Sequence, residues 1–143
     1  MTEIGKILLR TVQVLVILVA IAGAAWLYLE VKKYMAAKSE RAFYAEVDGL
    51  FEAFHKYKEH VGEYPRGNNC ELAKALNGNN NKKVIILAVR KTDLNAKGEI
   101  VDPWGTPLKI YFADNEVLIR SAGPNRRFED SQAKKSDDYF RSD

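Results

Sequence analysis

Side chains suited to chemistry are scarce in this 143-residue sequence, which carries two histidines, His55 and His60, and one cysteine, Cys70. The histidines are five positions apart, so on a helix they fall on different faces, unlike the i, i+4 pair that grips a metal. They read as solvated helix residues. One cysteine permits neither an intrachain disulfide nor a cysteine-based zinc site. Cys70 reads as a small side chain at the start of a short helix, because a reactive thiol needs local cationic help. The sequence shows no nucleophile–base pair, Gly-rich phosphate loop or His-rich cluster, so no enzyme is expected. Lysine and arginine number 22 against 19 acidic residues, for a net charge of +3. Without a dense basic block interleaved with aromatics, no nucleic-acid partner is expected. The most constrained local segment is Asp102-Pro103-Trp104-Gly105-Thr106-Pro107. Two prolines fix φ, a glycine permits positive φ, and the tryptophan offers a large apolar plate. It reads as a rigid turn whose Trp104 packs over a sheet or a long helix.

The elements that must position these residues begin with the apolar run at 11–29, TVQVLVILVAIAGAAWLYL. A helix rising about 1.5 Å per residue needs about 20 such residues to cross a bilayer. Lys6 and Arg10 precede the run, and small residues around Ala22 resemble a signal-peptide cleavage site. Apolarity nevertheless continues through Trp26, Leu27, Tyr28 and Leu29 and passes without a turn signal into a helical pattern, which favours a retained anchor. Basic residues flank both ends and give no orientation. Trp26, Tyr28 and Tyr34 fall where an interfacial aromatic belt is expected.

Beyond Glu30 the pattern becomes periodic: Phe43, Val47, Leu50, Phe51, Phe54 and Tyr57 line one helix face. One helix is predicted from about Ile7 to about His60, ended by Gly62, its second half laying this stripe on the domain's own sheet. A short helix is predicted at 71–76, stopped by the asparagine-rich stretch at 77–81. Residues 83–89, KVIILAV, read as a strand or an extended packing segment. Residues 108–113 and 117–121 read as an antiparallel pair joined at Asp114-Asn115-Glu116. From Gly123 onward aliphatic residues nearly vanish, leaving a structured loop or disorder as alternatives. The expected organisation is an anchor at 1–30, an amphipathic continuation at 31–62 and a domain at 63–143.

A spanning helix that runs into an amphipathic half and then a small sheet resembles the type IV pilin-like architecture. Local sequences narrow the match. Asp102-Pro103-Trp104-Gly105-Thr106-Pro107-Leu108, then Arg120-Ser121-Ala122-Gly123-Pro124-Asn125, then Asp137-Asp138 resemble the carboxyl-terminal domain of the type II secretion system major pseudopilin. Tyr64-Pro65 after the long helix fits as well.

The resemblance implies an α+β, type IV pilin-like fold, with the long helix packed on a small antiparallel sheet. It implies a pseudopilus subunit in a bacterial inner membrane, single-pass, its carboxyl domain periplasmic. Its partners would be membrane lipid, further copies of itself, other pseudopilins and secretion-apparatus subunits. In that family the loop after the last strand binds calcium. Carried over, Asn125 stands at one ligand position, where the family usually has Asp, and Asp137 and Asp138 stand at the closing pair. Arg126 and Arg127 oppose a cation, and Glu129 and Asp130 compensate. The peptidase processing position falls at Gly5 and Lys6. Here the sequence departs from the family: Lys6 replaces an apolar residue, and Arg10 replaces a glutamate that pairs with a neighbouring subunit's amino terminus. Two readings stay open, a divergent pseudopilin and a pilin-like domain on an uncleaved anchor that never polymerises.

Overall fold

The computed structural model describes residues 3–129 and 136–143. Helix α1 covers Glu3–Val61, with no proline to interrupt it. It begins earlier than the sequence suggests, so Gly5 and Lys6 lie inside its first turns. Gly62 stops it by taking φ of 102° while its N–H bonds back to the Lys58 carbonyl at 2.8 Å. The chain divides into two compact units, Met1–Lys38 and Ser39–Asp143.

In the first unit the long apolar side chains, from Ile4 through Leu29 to Met35, are exposed. Among the described residues α1 is the one helix long and apolar enough to cross a membrane. Its most apolar 18-residue window has a mean hydropathy of 2.3 and no buried residue. A continuous apolar surface of this kind calls for a bilayer or a protein partner to cover it.

The second unit is α+β. All six residues of the expected stripe are buried, together with Ala53. Full burial of a side chain such as Phe43 or Phe54 contributes about 1.5–3 kcal/mol. The stripe faces a three-stranded antiparallel sheet, β1 (Lys109–Ala113), β2 (Glu116–Ser121) and β3 (Tyr139–Ser142), in the order β1-β2-β3. Ala113 pairs with Glu116 across a tight hairpin, and Leu118 pairs with Ser142 and Ser121 with Tyr139. Alternation sends Val117, Ile119 and Ser121 inward. Phe112 meets Phe54 edge-on with ring centroids 5.0 Å apart. The hairpin tip is fastened to α1 by Lys58 Nζ, which donates to the Asp114 carbonyl and, at 2.6 Å, to Asn115 Oδ1.

Helix α2 (Asn69–Leu76) starts two residues before the sequence expectation because Asn68 caps it. Asn68 Oδ1 accepts from Glu71 N–H, and Glu71 Oε2 accepts from Asn68 N–H, a reciprocal capping box. Residues 83–89 form the extended packing segment, not a strand. Their N–H groups find other partners: Val84 bonds to Asn80 Oδ1, Ile86 and Leu87 to the Leu76 carbonyl, and Val89 to Asn77 Oδ1. With those donors satisfied, no ladder is needed. Ile86, Leu87 and Val89 then pack on the core.

Candidate metal centre

The carboxyl-terminal loop starts from a buried carboxylate. Asp102 is 3% exposed; its Oδ1 accepts from Trp104 N–H and Thr106 N–H at 3.0 and 2.8 Å. These bonds knot the Asp102–Pro107 segment into the rigid turn its prolines and Gly105 imply. Asp102 Oδ2 accepts from Ser121 Oγ at 2.6 Å, and Ser121 Oγ accepts in turn from Gly123 N–H at 3.0 Å. Trp104 stacks on Tyr139 of β3, with centroids 5.2 Å apart and planes 15° apart. It therefore covers the sheet's last strand.

Gly123 carries the chain out of β2 with φ of 64°. A Cβ there would lie 2.0 Å from the Asp137 carbonyl oxygen, so only glycine lets the returning chain approach this closely. Asn125 N–H donates to Asp137 Oδ2 at 3.0 Å, and Asn125 Nδ2 donates to Glu129 Oε1 at 3.0 Å. Asn125 Oδ1 is taken by Arg127 N–H at 2.7 Å. Glu129 Oε2 accepts from Asp137 N–H, and Asp138 Oδ2 accepts from Glu129 N–H.

Glu129, Asp137 and Asp138 each bring one carboxylate oxygen within 4.8 Å of the others. The Asp138 side chain is fully buried. The Oδ1 atoms of Asp137 and Asp138 are buried and meet no donor among the described residues. Buried carboxylate oxygens without a partner are costly, and oxygen donors clustered so closely suit a hard cation. Arg120 already supplies one positive charge: its Nε donates to Asp138 Oδ2 at 2.7 Å, and its Nη2 reaches the same oxygen and the Glu129 carbonyl.

Of the residues singled out by sequence, Asp137 and Asp138 come together as carboxylate donors. Asn125 joins them, yet as a hydrogen-bond donor, its own oxygen being occupied. Glu129 moves from a compensating charge to a member of the cluster. Asp130 lies outside the described residues. Sequence reasoning quoted Arg120 only at the head of its motif and gave it no role in the site; strand alternation puts it on the face opposite Ile119, but not against an acid 18 positions later. Gly5 and Lys6 belong to the first unit, where Lys6 Nζ pairs with Glu3 Oε1 at 2.7 Å. His55 and His60 do not converge: His60 Nδ1 faces the Lys56 carbonyl, while His55 lies between Asp143 and the Tyr64 hydroxyl.

One further concavity, a groove of about 430 Å³, runs between the α1 face at Glu46 and Gly49 and the segment Leu87-Ala88-Val89. Its charged groups are Glu46 and the Arg90–Asp93 pair, joined at 2.9 Å. No nucleophile–base pair lines it. Burial pushes the Glu46 carboxyl up, reinforced by Asp93 and opposed by Arg90.

Comparison with protein-family models, curated proteins and solved structures gives no match.

Proposed function

We propose that this chain is a non-catalytic, pilin-like structural subunit of a type II secretion pseudopilus. In this reading it is held in the bacterial inner membrane by α1, single-pass, with the unit Ser39–Asp143 in the periplasm. Its partners are bilayer lipid, further copies of the chain, and other pseudopilins or secretion-apparatus subunits.

The observation that carries this reading is the meeting of three separate sequence motifs. The turn built on Asp102, the loop from Ser121 to Asn125, and the Asp137-Asp138 pair form one bonded assembly through Asp102–Ser121, Ser121–Gly123 and Asn125–Asp137. A resemblance resting on unrelated local likenesses would not require those motifs to touch. The same reading assigns calcium to the loop, with Glu129, Asp137 and Asp138 as donors. Calcium would supply order to a coil poor in apolar residues.

A second reading, a non-polymerising membrane-anchored accessory or binding module with the same carboxyl domain, is favoured by Lys6 and Arg10. A cation at position 10 cannot pair with a neighbour's amino terminus, although it can reach the interface from the helix end. Intact mass spectrometry of the membrane-extracted protein separates the two. A chain beginning at Lys6 supports maturation as a filament subunit. An intact Met1 terminus overturns it and leaves the accessory module.

A further inference from the structure

Arg120 is held more firmly than a surface cation. It leaves β2 on the face opposite Val117, Ile119 and Ser121, and its side chain is 18% exposed. Besides its bonds to Asp138 and the Glu129 carbonyl, its guanidinium lies 4.9 Å from the Phe140 ring centroid and 5.3 Å from that of Phe128. Carboxylate on one side and ring faces on the other fix its position.

The groups it meets are those a hard cation would use, a buried carboxylate and a backbone carbonyl. Among the described residues, three clustered carboxylates face one guanidinium, so acidic groups outnumber the cation. Asp137 Oδ1 and Asp138 Oδ1 meet no donor among the described residues. The cluster is thus partly neutralised and still open.

We propose that Arg120 is a tethered cation of this loop, holding the Asp138 segment folded without metal and weakening divalent-cation binding by competing for Asp138. This rests on the reading of the cluster as a cation site. Competition follows from sharing: a metal that takes Asp138 must bind beside a positive charge or displace it toward solvent. Because two carboxylate oxygens of the cluster meet no donor among the described residues, Arg120 lowers affinity without abolishing it. Removing its charge exchanges an internally held loop for one that requires the metal.

The test uses the full chain in detergent micelles, with thermal unfolding in EDTA and in calcium chloride, and calorimetric calcium titration. Arg120→Gln is expected to melt several degrees below wild type in EDTA and to recover in calcium. Its calcium Kd should be tighter than that of wild type by about tenfold or more, since ligand binding to the folded state raises stability in proportion to ln(1 + [L]/Kd). Arg120→Lys keeps the charge but loses the planar fork, so its calcium affinity should fall between the two. Equal affinity in wild type and Arg120→Gln overturns the proposal while leaving the cation site standing. So does a wild type that binds calcium beside a destabilised Arg120→Gln that does not recover, which makes Arg120 a purely structural partner. No binding by any form removes the cation reading itself and this proposal with it. Should Arg120→Gln fail to fold in either condition, Arg120→Lys decides. Tighter binding than wild type supports competition, and equal binding overturns it.

Discussion

Ser121 Oγ donates to Asp102 Oδ2 at 2.6 Å, both residues buried, and this bond joins the end of β2 to the proline-flanked turn. The Asp102 carboxylate accepts three hydrogen bonds, two of them from backbone N–H groups of its own turn. A charged acceptor with several donors is the stabilising form of a buried acid; deletion leaves those donors unpaired. Asp102→Ala should therefore lower stability by about 2–4 kcal/mol, and Ser121→Ala by about 1–2 kcal/mol. Asp102→Asn keeps an oxygen for the turn and should cost less. Urea unfolding of the three variants checks the order.

That bond also marks where sequence reasoning stopped. The α1 stripe was legible because six apolar side chains at helical spacing have only one way to leave water. The β1–β2 hairpin was legible because alternation and a short polar turn coincide. Asp102 was passed over, although an aspartate ahead of a proline-glycine turn is an Asx-turn signal. β3 was not legible: its four residues, Tyr139–Ser142, carry no aliphatic side chain. Its place comes from Tyr139 contacts with Phe43, Tyr44 and Trp104, all distant in sequence. Arg120 was silent for the same reason, since its partner is a tertiary one.

Trp104 should control β3 more than the rest of the sheet. Its stacking on Tyr139 adds to the contacts that Tyr139 makes with α1, tilted against Phe43 and edge-on to Tyr44. Trp104→Ala should cost about 2 kcal/mol, below the range for a fully buried tryptophan because Trp104 is half-buried. Trp104→Phe should restore most of the loss. Hydrogen exchange should quicken at Phe140 and Arg141 before Tyr111 and Phe112. A uniform change across the sheet would contradict this ordering.

Glu46 faces the groove beside Asp93, and burial first, then Asp93, pushes its carboxyl above 4.5. A carboxyl raised in the folded state binds protons more readily there, so its charge opposes folding as pH rises through the raised value. Glu46→Gln should stabilise the protein at neutral pH, by at most about 0.5 kcal/mol, because the groove takes only part of the carboxyl's water and the residue as a whole stays exposed. The gain should fade as pH falls toward 4.5 and vanish well below it, once the glutamate is protonated in the folded and the unfolded chain alike. Thermal melts of the two forms at several pH values measure it.

Asp143 behaves in the opposite sense. Burial pushes its carboxyl up, but the Val117 N–H, donating to Oδ1 at 2.8 Å, and the His55 ring outweigh burial and bring it below 3.8. A carboxyl lowered by folding contributes stability that is fully present above its unfolded value and is lost as pH falls through the folded one. Asp143→Asn keeps an acceptor for Val117 N–H but removes the charge that faces His55. The expected cost near neutral pH is about 0.5–1 kcal/mol, since the His55 side chain is 45% exposed and water screens the pair. The difference from wild type should hold from about pH 7 to pH 5 and shrink as pH falls below 3.8, where first the unfolded and then the folded carboxyl takes its proton. The bond tethers the end of β3 to α1, so the lost stability should appear as faster exchange at Val117 N–H. Urea unfolding across that pH range supplies the energies. A difference that persists undiminished at pH 3 would show that Asp143 acts through packing, not through charge.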